Sequence, residues 1–107
     1  MWNPPTLRQL SVIPGLYVTE HVPLADKIIY MHFFCGACDW YVNEFDGTDL
    51  FFGLANLGDD QCAEWGYVSL QELKDLNIRG LEIDRDLHWK TCTAREIENI
   101  PRHCLCL

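Results

Sequence analysis

Cysteine, histidine and carboxylate side chains are the groups here with chemistry to offer, and their spacing bounds what that chemistry could be. Cys35-Gly36-Ala37-Cys38 is a CxxC motif. Two thiolates at this spacing can share one tetrahedral ion, as in a zinc knuckle. Cys104 and Cys106, with His103 beside them, could supply a second pair and clip the C-terminal tail to the fold. Cys62 and Cys92 are the other candidate pair. A thioredoxin-like redox role fits less well, because that CxxC opens a helix and this one joins strand-like segments. The simpler alternative is free, partly buried thiols that act as small hydrophobes.

The four histidines, His21, His32, His88 and His103, show neither HExxH nor HxH spacing. His32 lies in the most strand-like segment and reads as a hydrogen-bonded core histidine. A small hydrolase or nuclease built on His32 or His88 with Asp or Glu is the weakest reading, because no nucleophile–base pair is legible.

The carboxylates carry the clearest signal. Between Lys27 and Lys74 there is no lysine or arginine, yet Asp39, Glu44, Asp46, Asp49, Asp59, Asp60, Glu64 and Glu72 fall there. Turn chemistry and solvated loops would account for many of them. The sharper reading is an acidic binding face of Glu44, Asp46, Asp49, Asp59, Asp60 and Glu64, with Trp65 as an aromatic anchor. Such a face would dock into an Arg/Lys-lined groove. The acids lack the order of an EF-hand loop, so calcium is not indicated.

The elements that must position these groups can be read along the chain. Residues 1–12 form an arm in which Pro4-Pro5 blocks helix, and Leu16–Thr19 reads as a short strand. Segments 27–34, 39–45 and 49–55 form an antiparallel meander, with Asp46-Gly47 as a hairpin turn. Along 39–45, Trp40, Val42 and Glu44 share one side, and Tyr41, Asn43 and Phe45 the other. Trp65–Val68 is a fourth strand. Ser69-Leu70-Gln71-Glu72 and Thr93-Ala94-Arg95-Glu96 are capping-box patterns opening helices of 69–76 and 94–99. Leu81–Ile83 and Leu87–Lys90 alternate like edge strands, either of which could pair with a second copy to make a homodimer or capture a partner strand. Residues 101–107 are a cysteine-containing tail.

The chain of 107 residues, 49% hydrophobic, suits one domain of residues 1–107. The expected fold is α+β: a mainly antiparallel sheet of four to six strands with one or two short helices on one face. A net charge of −8 opposes direct binding to nucleic acid or anionic membranes. No apolar run approaches the roughly 18 residues of a membrane span, and Met1-Trp2-Asn3-Pro4-Pro5 does not resemble a signal peptide. A cytoplasmic setting with reduced cysteines is the expectation.

Five ordered stretches resemble a small bacterial family known only as a domain of unknown function. They are Ile13–Glu20, Trp40–Gly47, Phe51–Leu54, Trp65–Leu73 and Ile83–Lys90. The resemblance implies a setting on plasmids, integrative conjugative elements and phage-derived islands. It implies no activity, cofactor or catalytic residue. In that setting the reading becomes a non-enzymatic acidic interaction module. Its partner would be a basic host protein or nucleoprotein complex, and its concrete form an anti-CRISPR or anti-restriction inhibitor. A zinc-stabilised adaptor domain is the alternative. The two cysteine pairs, Cys35/Cys38 and Cys104/Cys106, depart from the family pattern.

Overall fold

The computed structural model describes residues 1–105; Cys106 and Leu107 lie outside the described residues. The fold is α+β. Strands β1 (Ile28–Ile29), β2 (Met31–Cys35), β3 (Cys38–Phe45), β4 (Leu50–Leu57) and β5 (Glu64–Ser69) follow one another along the chain. Short strands β6 (Asn77–Ile78), β7 (Leu81–Glu82), β8 (Asp84–Arg85) and β9 (Cys92–Thr93) come after them. The main sheet has five strands in the order β5-β4-β3-β2-β8, all antiparallel. Pairs β1–β9 and β6–β7 form separate two-stranded ladders.

The expected meander forms, and each of its turns has a local cause. Cys35 pairs directly with Cys38 across the Gly36-Ala37 turn. At the next turn Gly47 takes φ +91°, which glycine adopts without steric cost. There Asp46 Oδ1 accepts from the amides of Thr48, Asp49 and Leu50 at 2.7–3.0 Å. Those bonds hold the Asp46 carboxyl below its ordinary value.

Both sheet faces are covered, which explains why 27–34 is apolar on both sides. On one face Phe33, Trp40, Val42, Phe45 and Phe51 pack with Leu10 of helix α1 (Leu7–Leu10) and with Leu70 and Leu73 of helix α2 (Leu70–Asp75). On the other, Ile29, Tyr41 and Leu54 pack with Ala25, Ala94, Ile100 and Cys104, carried on single 3-10 turns and the loops beside them. Each large side chain buried this completely contributes about 2–3 kcal/mol of transfer free energy.

Four expectations change. Leu16–Thr19 is a run of turns, not a strand; Tyr17 sits at φ +69° and its amide bonds a side chain. The 94–99 helix is only the 3-10 turn Ala94–Glu96, although its capping box is complete. Leu87–Lys90 is a turn after β8, because Asp86 Oδ1 accepts from the His88 amide and holds the chain bent. The alternation along 39–45 breaks at a β-bulge between Val42 and Glu44. Val42 and Phe45 therefore share the helix-covered core, while Glu44 pairs with Phe52 and points to the other side. Within the N-terminal arm, Thr6 and Gln9 form a capping box that starts α1. Trp2 bridges Asp84 in parallel and covers the β8 edge, leaving β5 as the open edge of the sheet.

Candidate functional site

The bulge builds the best-organised polar site in the molecule. The extra residue, Asn43, is fully buried. Its Nδ2 donates to Ile28 O at 2.8 Å, and its Oδ1 accepts from Thr19 Oγ1 at 2.9 Å. A bulge re-aims the residue beside it, and Glu44 is turned toward the 15–19 loop. Its Oε1 accepts from the Tyr17 amide and its Oε2 from the Thr19 amide, both at 2.9 Å. The one proton of the Thr19 hydroxyl is shared between Glu44 Oε2 and Asn43 Oδ1. Beneath the loop lies Lys27, 4% exposed. Its Nζ donates to Thr19 O at 2.6 Å and Thr19 Oγ1 at 3.2 Å, and it stands 5.8 Å from the centroid of the Phe52 ring. Desolvation works to raise the Glu44 pKa. The bonds from Thr19 and Tyr17 and the charge of Lys27 outweigh it, and the net shift is downward.

This network fixes Tyr17 in a left-handed conformation unusual for a bulky residue. The loop then walls a cleft of about 280 Å³ with Glu20, Leu24, Phe52 and Tyr67, and with Glu44 and Lys27 at its base. Tyr17 and Tyr67 are 63% and 53% exposed. Interaction with the neighbouring Tyr17 side chain, then desolvation, then the charges of Glu44 and Glu20, push the Tyr67 phenol above its ordinary value. Four of the five stretches that carry the family resemblance each supply a residue to this cleft: Tyr17 and Glu20, Glu44, Phe52, and Tyr67. Sequence reasoning missed it as a site; the signal was the Gly15–Glu20 stretch, whose role became visible only with the bulge.

The carboxylates do not form one face. Glu44 is 3% exposed, so its carboxylate serves the fold. Asp46 and Asp49 sit at one end of the β3–β4 hairpin, where Asp49 accepts from Ser69 Oγ and the Gln71 amide and steadies the start of α2. Asp59 and Asp60 sit beyond the other end of the eight-residue β4, roughly 25 Å away at about 3.3 Å per residue. Asp59 accepts from the Gln61 amide, and Asp60 from Asn56 Nδ2 at 2.8 Å. Asp60 joins Asp39 and Glu98 around a recess of about 340 Å³, completed by Asn56, Asn99 and neighbouring backbone, with no basic residue in its lining. Glu64 is exposed on β5. Trp65 is half-buried and donates through Nε1 to Cys104 O at 2.8 Å, so its polar edge is already spent inside.

The four-cysteine metal site is not assembled. Cys35 belongs to the core on the helix-covered face and Cys104 to the core on the opposite face, so the sheet lies between them; Cys106 lies outside the described residues. No group of three or more His, Cys, Asp or Glu among the described residues could hold a metal ion. Burial, then Cys35 and Asp39, push the Cys38 thiol up. Burial and then Glu96 do the same to Cys92, and a hydrogen bond to Asp59 to Cys62. Raised thiol pKa values oppose thiolate chemistry.

His32 is held between two carboxylates: Nε2 lies 2.8 Å from Asp39 Oδ1 and Nδ1 lies 3.3 Å from Asp86 Oδ2. Its ring stacks on Tyr41 at 4.7 Å and meets Trp89 at 5.2 Å. Burial, followed by Asp39, pushes the Tyr41 phenol up to about 12, against a lowering hydrogen bond with Asn99. Both imidazole nitrogens face carboxylates, so no hydroxyl or thiol nucleophile is engaged.

The fold and its loop-walled cleft define a small α+β protein with an acidic surface and a five-stranded antiparallel sheet. The chain belongs to the family described as "Protein of unknown function (DUF2958)", whose model matches residues 18–97. No curated protein and no solved structure matches it. Among the described residues no helix is long and apolar enough to cross a membrane.

Proposed function

We propose that this chain is a non-enzymatic acidic docking module that binds a basic protein or nucleoprotein complex. Its concrete form is a mobile-element inhibitor that occludes the positive groove of a nucleic-acid-targeting defence complex. The observation that carries this reading is uncompensated charge. The sequence has 16 Asp and Glu against 8 Lys and Arg. Among the described residues only Arg95–Asp26, at 2.7 Å, pairs a Lys or Arg side chain with a carboxylate. The recess at Asp39, Asp60 and Glu98 is open to a partner's cations, and Asp59 adjoins it in sequence. Charge of one sign steers encounter with the opposite sign and sets its salt dependence.

The test is capture of host proteins from nuclease-treated lysate at low and high salt, with wild type beside a triple variant, Asp59→Lys, Asp60→Lys and Glu98→Lys, that keeps the wild-type circular dichroism spectrum. A basic protein recovered by wild type, released by salt and missed by the variant is the expected result. Equal recovery by the folded variant, or no partner at either salt, would reject the reading.

A further inference from the structure

We propose that the cleft between the Gly15–Glu20 loop and strands β4 and β5 is an anchor pocket for one arginine side chain of the basic partner. The inference rests on the acidic-docking reading and names the contact that gives it direction. Three aromatic rings, those of Tyr17, Phe52 and Tyr67, contribute to the walls, and Leu24 adds an aliphatic surface. A guanidinium is planar and weakly hydrated, and it stacks on such rings while its methylene stem packs against apolar carbon. Exposed Glu20 stands in the same lining as a carboxylate for the fork of N–H groups.

The charges of the whole lining favour a cation over an anion. Glu44 and Glu20 outnumber Lys27 in the lining. Lys27 is buried with its ammonium committed to Thr19 O and Oγ1, so it is the internal counter-charge of Glu44 rather than an anion receptor. The backbone supports the same conclusion. Tyr17 is held at φ +69° by its amide bond to the buried Glu44 carboxylate, and buried Lys27 fixes Thr19 two residues on. The loop is thus pre-organised, which lowers the ordering cost of binding a flexible side chain.

The probe is the blocked tripeptide acetyl-Gly-Arg-Gly-amide, titrated into the full chain and followed by amide chemical shifts. Saturable shifts at Tyr17, Thr19 and Tyr67 are expected. The citrulline peptide, the same shape without charge, should bind at least about tenfold more weakly. Glu20→Gln and Tyr67→Ala should each weaken the arginine peptide by about threefold or more. The triple variant at positions 59, 60 and 98 should bind the peptide like wild type, since those residues lie outside the cleft. Shifts that never saturate, equal binding of the citrulline peptide, or wild-type affinity in both cleft variants would overturn the proposal. Salt-sensitive capture of a basic protein would survive that outcome, so failure of the pocket and failure of the docking reading are separable.

Discussion

A carboxylate moved out of water costs several kcal/mol unless donors and an opposite charge replace its hydration. Glu44 has both, in the Tyr17 and Thr19 amides, the Thr19 hydroxyl and Lys27. Glu44→Gln removes the charge and turns one acceptor into a donor facing amides that must also donate. It should destabilise the protein by about 3 kcal/mol at neutral pH, read by urea unfolding. The pH dependence has a definite sign. The folded pKa lies below the ordinary 4.5, so the unfolded chain takes up the proton first as pH falls. The contribution of Glu44 is therefore fully present above 4.5 and is lost as pH descends through the folded value. The gap between wild type and Glu44→Gln should narrow in that window; a constant gap down to acid unfolding would contradict the buried-charge account. This role was not legible in the sequence, where Glu44 looked like one more acid in an acidic block. What separates it from Asp46 two residues on is a partner 25 residues upstream, Thr19, and no local pattern encodes that contact. His32 was legible as a hydrogen-bonded residue, although it is part-buried and outside both core clusters; the hairpin register that pairs Phe34 with Asp39 puts Asp39 diagonally within its reach.

At the scale of elements, the meander was legible because its turns are chemical: Gly36 and Gly47 take positive φ and Asp46 caps the second turn. Helix α2 was legible from Ser69, whose hydroxyl accepts from the Glu72 amide. The bulge at Asn43 was not, because Asn43 and Glu44 are both polar and the alternation gives no sign of an extra residue. The 16–19 segment was misread because Leu-Tyr-Val-Thr favours strand locally, and the Glu44 bonds override that preference. The bulge also has a steric consequence. Gly53 pairs with Val42 immediately before it, and a Cβ there would lie 2.0 Å from the Tyr41 carbonyl oxygen. Its β5 partner, Gly66, would have nothing within 4 Å of an added Cβ. Gly53→Ala should cost about 3 kcal/mol or more, since backbone must move. Gly66→Ala should be within about 0.5 kcal/mol of wild type or slightly stabilising. Thermal unfolding of the two variants checks this, and similar melting temperatures would mean that β3 and β4 do not approach as closely as described.

At the scale of the whole molecule, one distribution of charge makes two predictions of opposite sign. Lys27 is buried inside its own network, Arg95 is paired with Asp26, and the Arg85 guanidinium donates to Asn3 O. The surface acids are left to repel one another. Self-repulsion in a folded chain carrying −8 destabilises the compact state, and salt screens it over a Debye length of about 10 Å at 0.1 M. Raising sodium chloride from about 0.01 to 0.3 M should therefore raise the melting temperature by several degrees, because roughly 1 kcal/mol moves the midpoint of a domain this size by 4–8 °C. The same screening weakens attraction to a basic partner, so complex affinity should fall over the range in which the free protein gains stability. A neutral or purely structural surface would show neither trend. Were the binding chiefly apolar, stability would rise with salt while affinity stayed level. Measuring both on the same samples thus separates charge that only keeps the protein soluble from charge that docks it. With the triple variant at Asp59, Asp60 and Glu98, the net charge moves from −8 to −2, since each reversal adds two. Both slopes should flatten together.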